Sequence, residues 1–90
     1  MELNEVIFVE NLPSIDLHGF DREYANIKIN EFISDNIKMH NEIIAIIHGR
    51  GTGILKEQTQ KTLKCNKNVI DYKLFYNNVG TTIAKLKIKL

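Results

Sequence analysis

The sequence predicts a two-layer α/β sandwich: a mixed sheet of about four strands with two helices on one face, in the order β-α-β-α-β-β. Three observations carry this. Ile43-Ile44-Ala45-Ile46-Ile47 is a continuous apolar run, as a central buried strand requires, and it leads at once into His48-Gly49-Arg50-Gly51-Thr52-Gly53 and a helical pattern. Ala25, Ile29, Phe32, Ile33 and Ile37 recur at spacings of three and four, the core-facing stripe of a helix. Towards the end, Ala84, Leu86, Ile88 and Leu90 alternate with Lys85, Lys87 and Lys89, the period of a strand.

Taken in order, residues 1–13 hold one apolar cluster, Val6-Ile7-Phe8-Val9, closed by Asn11-Leu12-Pro13. This segment is either an edge strand or an ordered arm, and Pro13 separates it from the domain over 14–90. In Ile15-Asp16-Leu17-His18-Gly19 the apolar and polar residues alternate, so a short strand would send Asp16 and His18 to one face before Gly19 turns the chain. Asp21 is an N-cap for a helix to about Met39, with Tyr24 and Ile27 at the flanks of its stripe and His40 favoured at its end by the helix dipole. Glu42–Ile47 is the second strand. A helix over about Ile54–Lys64, a loop at Asn66–Asn68, a strand over Val69–Tyr76, a turn at Asn77-Asn78-Val79-Gly80 and a last strand over Thr81–Leu90 complete the chain.

Ninety residues suffice for one domain with one core, and 43% apolar with 26% charged residues is ordinary for a soluble globular chain. No apolar run approaches the roughly 18 residues of a membrane span and no signal peptide is visible, so the expected location is the cytoplasm. The single Cys65 excludes an internal disulfide and is expected partly buried near a helix end. The net charge of +1 conceals a skew: residues 1–40 carry 3 basic and 8 acidic side chains, residues 41–90 carry 9 and 3. Positive charge thus collects in the half with the glycine turn, where a phosphate backbone would want it. The lysine row of the last strand is either a solvated face that blocks sheet aggregation or a basic track for such a backbone.

The turn over 48–53 has its own chemistry. Glycines allow positive φ and close approach of a guest, and the helix beyond them offers unpaired N–H groups. With Arg50 inside the turn and His48 at its mouth, the guest this arrangement suits is a phosphate.

Two motifs together resemble a family. Ile15-Asp16-Leu17-His18-Gly19 resembles the "LDLHG" signature of the small MutS-related (Smr) domain, and His48-Gly49-Arg50-Gly51-Thr52-Gly53-Ile54-Leu55-Lys56 resembles its "HGxGxGxLR" signature. The likeness spans roughly residues 14–90 and also takes in Tyr24-Ala25 to Phe32-Ile33. It implies a stand-alone single-domain member with a fold similar to the C-terminal domain of bacterial translation initiation factor three. It also implies nucleic-acid binding, on RNA or DNA and in some members at the ribosome, with endonuclease activity reported across much of the family. Two departures stand out: Lys56 replaces an arginine, which keeps the charge but not the bidentate fork, and the loop before the last strand is shortened to Asn77-Asn78-Val79-Gly80-Thr81-Thr82. The 90 residues hold no ATPase or clamp, so no mismatch-repair role is expected of this domain by itself.

In such a fold His18, oriented by Asp16, would serve as the base or acid, with His48 and Arg50 steadying the transition state. The phosphate-binding set would be Gly49, Arg50, Gly51, Thr52, Gly53 and Lys56, with Lys85, Lys87 and Lys89 along the strand. No cofactor is required by this scheme. A divalent ion on Asp16, or a transition metal on His18, His48 and Asp16, is the alternative. Two functions follow: an endonuclease cutting RNA or branched DNA, and a non-catalytic nucleic-acid or ribosome-binding module. Either would work as a monomer or weak dimer away from membranes. Phe20 and Tyr24, beside the first motif, are placed to touch a base, with Phe20 equally suited to plug the core.

Overall fold

A computed structural model describes residues 2–6, 8–75 and 78–88. The elements run β1 (Ser14–Asp16), α1 (Arg22–Lys38), β2 (Ile43–Ile47), α2 (Ile54–Cys65), β3 (Val69–Phe75) and β4 (Asn78–Leu86). The sheet order is β1-β2-β4-β3, with β1 parallel to β2 and the other two pairings antiparallel, so the predicted β-α-β-α-β-β mixed sheet is the one that forms.

Strand β2 is central because its residues serve both faces. Ile44 and Ile46 pack with Ala25, Ile29 and Ile33 of α1, Leu63 of α2, and Ala84 and Leu86 of β4. Ile43 and Ala45 point the other way, against Phe75, Ile83, Leu3 and Val6. Both helices therefore lie on one face, and the N-terminal segment covers the other. That segment is an ordered arm rather than an edge strand: two 3-10 turns, Leu3–Glu5 and Val9–Asn11, bury Leu3 and Val6 without joining the sheet.

Several local expectations are corrected. The segment 78–80 is the start of β4 rather than a turn, and β4 ends at Leu86, short of Ile88. Tyr76, Asn77, Lys89 and Leu90 lie outside the described residues. Cys65 is exposed, because the last residue of α2 points off the core stripe set by Thr59, Thr62 and Leu63. Asn36 of α1 is fully buried. Its Nδ2 donates to the Phe32 carbonyl at 2.8 Å and its Oδ1 accepts from Asn41 Nδ2 at 2.8 Å, tying the helix end to the start of β2.

Asp21 caps α1 as its position predicts, its carboxylate accepting the Tyr24 N–H at 2.8 Å. At the other end His40 follows the C-cap Met39 with φ 61°, a left-handed conformation that disfavours any residue with a Cβ. His40→Gly is therefore expected to raise the unfolding free energy by ~1 kcal/mol. The urea midpoint should rise at unchanged slope; a midpoint that stays put or falls would refute the strain at His40.

Candidate functional site

Parallel pairing brings the two sequence motifs together. In the register of β1 and β2, Asp16 stands opposite Ile47, and the Leu17 N–H continues the ladder by donating to the Ile47 carbonyl at 2.9 Å. His48 thus follows opposite Leu17, with His18 one residue further on, so both histidines come to the same end of the sheet. A cleft of about 450 Å³ opens there, lined by Asp16, His18, Gly19, Ile47, His48, Gly49, Arg50, Gly51 and Leu55. Leu17 anchors its floor, fully buried in the core, while Gly19 at φ 82° turns the chain and Phe20 N–H returns to the Leu17 carbonyl at 2.9 Å.

The two histidines have different fates. His18 is exposed. Asp16 Oδ1 accepts the backbone N–H of His18 at 2.9 Å, so the carboxylate sets the path of the chain at His18 and not the tilt of its imidazole. His48 continues the alternation of Ile44 and Ile46 onto the helix-covered face and is only 7% exposed. Both its ring nitrogens are engaged: Nδ1–H donates to the Gly49 carbonyl at 3.0 Å, and Nε2 accepts from the Thr82 hydroxyl at 2.9 Å, a pattern that the neutral ring satisfies. His48 thus also serves as a strut under the glycine loop. Thr82 was not expected here; its facing position across the sheet from Ile46 is the signal that the residue order hides.

Burial away from water holds the His48 pKa below its usual value; the Gly49 carbonyl bond pulls the other way and the charge of Lys56 adds to the depression. The unfolded chain takes up this proton near pH 6.5, the folded chain only at lower pH. Stability from neutral His48 is accordingly complete above about pH 6.5 and is lost as the pH falls towards the folded-state value. Between pH 7.5 and 5.5 the urea midpoint should drop, and His48→Gln should flatten that dependence. An unchanged slope in the variant would count against this assignment.

The glycines divide the work. Gly49 and Gly53 sit at φ 79° and 86°, where a side chain would be strained, whereas Gly51 has ordinary φ and open space around it. Gly53 is the N-cap of α2 and brings no side chain to cap it; Thr52 Oγ1 accepts the Ile54 N–H only at 3.5 Å. The loop is held from below by Gly80, whose carbonyl accepts both the His48 N–H at 2.9 Å and the Gly49 N–H at 3.0 Å. A Cβ at Gly80 would meet the Gly49 backbone at 3.3 Å, so the first residues of β4 make the close contact that seats the loop.

Of the remaining predicted residues, Thr52, Gly53 and Lys56 flank the cleft at the start of α2, and Lys56 is near enough for His48 to feel its charge. Lys85 and Lys87 are not brought to it. Lys85 pairs with Ile43, the far end of β2, and its Nζ binds Glu2 Oε1 of the arm at 2.6 Å, which takes it out of any free basic row. Lys87 lies beyond the strand, and Lys89 falls outside the described residues. Among the described residues no group of three or more His, Cys, Asp or Glu is gathered closely enough to hold a metal ion.

The Smr domain family model matches residues 15–87. This chain belongs to the Smr family. The Smr domain is 34% identical over 76 residues to endonuclease MutS2 of Brevibacillus brevis, covering 81% of this chain and 10% of that protein. The same identity and share of this chain hold for endonuclease MutS2 of Staphylococcus aureus, of which 11% is covered. The chain therefore spans about a tenth of the length of these relatives. Among solved structures, the Smr domain of Thermus thermophilus MutS2 superposes with a TM-score of 0.80 at 20% identity, covering 83% of this chain and 98% of that one. YdaL, a stand-alone small MutS-related protein from Escherichia coli, gives 0.77 at 19% identity over 82% and 63%. At those identities the likeness is one of fold. Among the described residues no helix of this Smr domain is long and apolar enough to cross a membrane.

Proposed function

We propose that this Smr domain binds a nucleic-acid strand across the β1–β2 end of its sheet and cleaves a phosphodiester seated at the glycine loop. One observation carries the reading: the Asp16–Gly19 segment and the 48–51 loop, thirty residues apart in sequence, line a single cleft. In that cleft the Arg50 guanidinium and the loop backbone take the non-bridging oxygens in this reading. His18, exposed at the rim, is the proton-transfer group. As the attacking oxygen bonds to phosphorus its proton passes to a base, and the departing oxygen takes a proton as its bond to phosphorus breaks; an imidazole serves either step. Asp16, with one oxygen occupied by the His18 backbone, holds that residue at the rim. No cofactor enters this scheme.

The test combines cleavage and binding. The purified domain is incubated with labelled single-stranded RNA, RNA hairpins and branched DNA, with and without EDTA, beside Arg50→Ala across a salt series. Cleavage that persists in EDTA is expected, with binding weakened in Arg50→Ala and its log–log salt slope reduced by about one. Cyclic-phosphate ends would identify a 2′-hydroxyl as the attacking group; loss of cleavage in EDTA would bring in a metal. A salt-independent interaction would overturn the phosphate site. The second reading, a binding module that does not cut, draws on the engagement of both His48 nitrogens, which leaves one imidazole for chemistry. Salt-dependent binding without any cleavage would establish it.

A further inference from the structure

Beside the cleft stands a feature that the phosphate chemistry leaves unused. Tyr24, in the first turn of α1, is 46% exposed although it is a large aromatic residue. Its ring packs edge-to-face on Phe20, with centroids 4.7 Å apart and planes at 74°. Phe20 is half-buried against the main core and follows directly on Gly19, which lines the cleft. The Lys28 ammonium lies 5.4 Å from the Tyr24 ring centroid and is held there by Glu31 at 3.2 Å. The ring is thus rigidly backed, partly open to solvent, and next to the segment that carries His18. Of the acidic groups around it, Asp21 is committed to the helix cap and Glu31 to Lys28, while Glu23 is exposed in the same turn.

We infer that the Tyr24 ring, braced by Phe20, is a stacking platform for an unpaired nucleobase beside the phosphate seated at the glycine loop. This rests on the function proposed above and narrows it to single-stranded segments. A base inside a duplex has its faces covered by its neighbours, whereas an unpaired base can lay one face on an aromatic ring. Because α1 carries acidic residues around this ring, the attraction here comes from stacking and not from net charge. Its contribution is accordingly insensitive to salt, unlike that of Arg50.

The experiment measures affinity of the full chain for a short single-stranded RNA containing 2-aminopurine and for the same sequence as a duplex, in parent, Tyr24→Ala, Tyr24→Leu, Tyr24→Phe and Arg50→Ala. Tyr24→Ala should weaken single-strand binding roughly tenfold, leave the salt slope unchanged, relieve the 2-aminopurine quenching and spare the duplex. Tyr24→Phe should stay within about threefold of the parent, since the π-face survives. Tyr24→Leu retains apolar bulk on Phe20 and should behave like the alanine variant, which separates stacking from helix stability. If Arg50→Ala weakens binding but Tyr24→Ala does not, the platform is refuted and the phosphate site stands. If Tyr24→Ala weakens single strand and duplex alike, the platform is again refuted. If the parent binds neither, the platform falls, and with it the proposed function on RNA.

Discussion

Replacing His18 by alanine is expected to slow phosphodiester cleavage by about 10²–10⁴-fold while changing folding stability by less than about 0.5 kcal/mol. The split follows from position. The imidazole is exposed at the end of β1, so its loss opens no cavity, and the bond that shapes the local chain joins Asp16 to the backbone of residue 18, which alanine keeps. Strand affinity should stay within a few fold, since the loop and Arg50 are untouched. Single-turnover cleavage, a binding titration and a urea melt on the same preparation check the three parts. Added imidazole should restore some of the lost rate. Cleavage at the parental rate would remove His18 from the chemistry; an equal loss of binding would make it a contact rather than a proton-transfer group.

His48→Ala should show the opposite profile, a loss of roughly 2–4 kcal/mol in stability. The ring fills space on the helix-covered face, and removing it strands the Thr82 hydroxyl, which is fully buried. The Gly49 carbonyl loses its donor at the same stroke, so the loop should loosen and strand binding should weaken with it. Thr82→Val alone removes one side of the same contact. The two substitutions should therefore be non-additive, the double variant being less destabilised than the sum of the singles by roughly 1 kcal/mol. Urea midpoints of the four proteins measure this coupling. Strict additivity would mean that the His48–Thr82 bond contributes nothing, and the assignment of His48 as a strut would fail.

These contrasting histidines show how far the residues could be read in order. That His18 and His48 share a cleft was legible, because two strand-ending motifs in a β-α-β unit must lie side by side when the strands are parallel and adjacent. That they differ in exposure was legible in part. Extending the alternation of Ile44 and Ile46 by one step puts residue 48 on the helix-covered face, a signal that the attraction of a chemically versatile side chain obscured. The lysine row shows the reverse case. Its alternation is real as far as Lys85, but the face it marks is the one the arm covers, and Glu2 takes Lys85 from across the sequence.

What the sequence determined by itself was the set of elements and the identity of the loop. Helical and strand periods, the Asp21 cap and the glycine-rich turn all express backbone geometry over a few neighbouring residues, and α1, β2 and α2 fall where those patterns place them. What only the tertiary structure decided was which polar group satisfies which. Thr82 meets His48 across 34 residues, Gly80 receives two N–H groups of the glycine loop, and Glu2 reaches Lys85 across 83. Those pairings depend on strands and an arm that become neighbours only after the chain has closed on its core. They divide one exposed histidine at the rim from one buried beneath the loop.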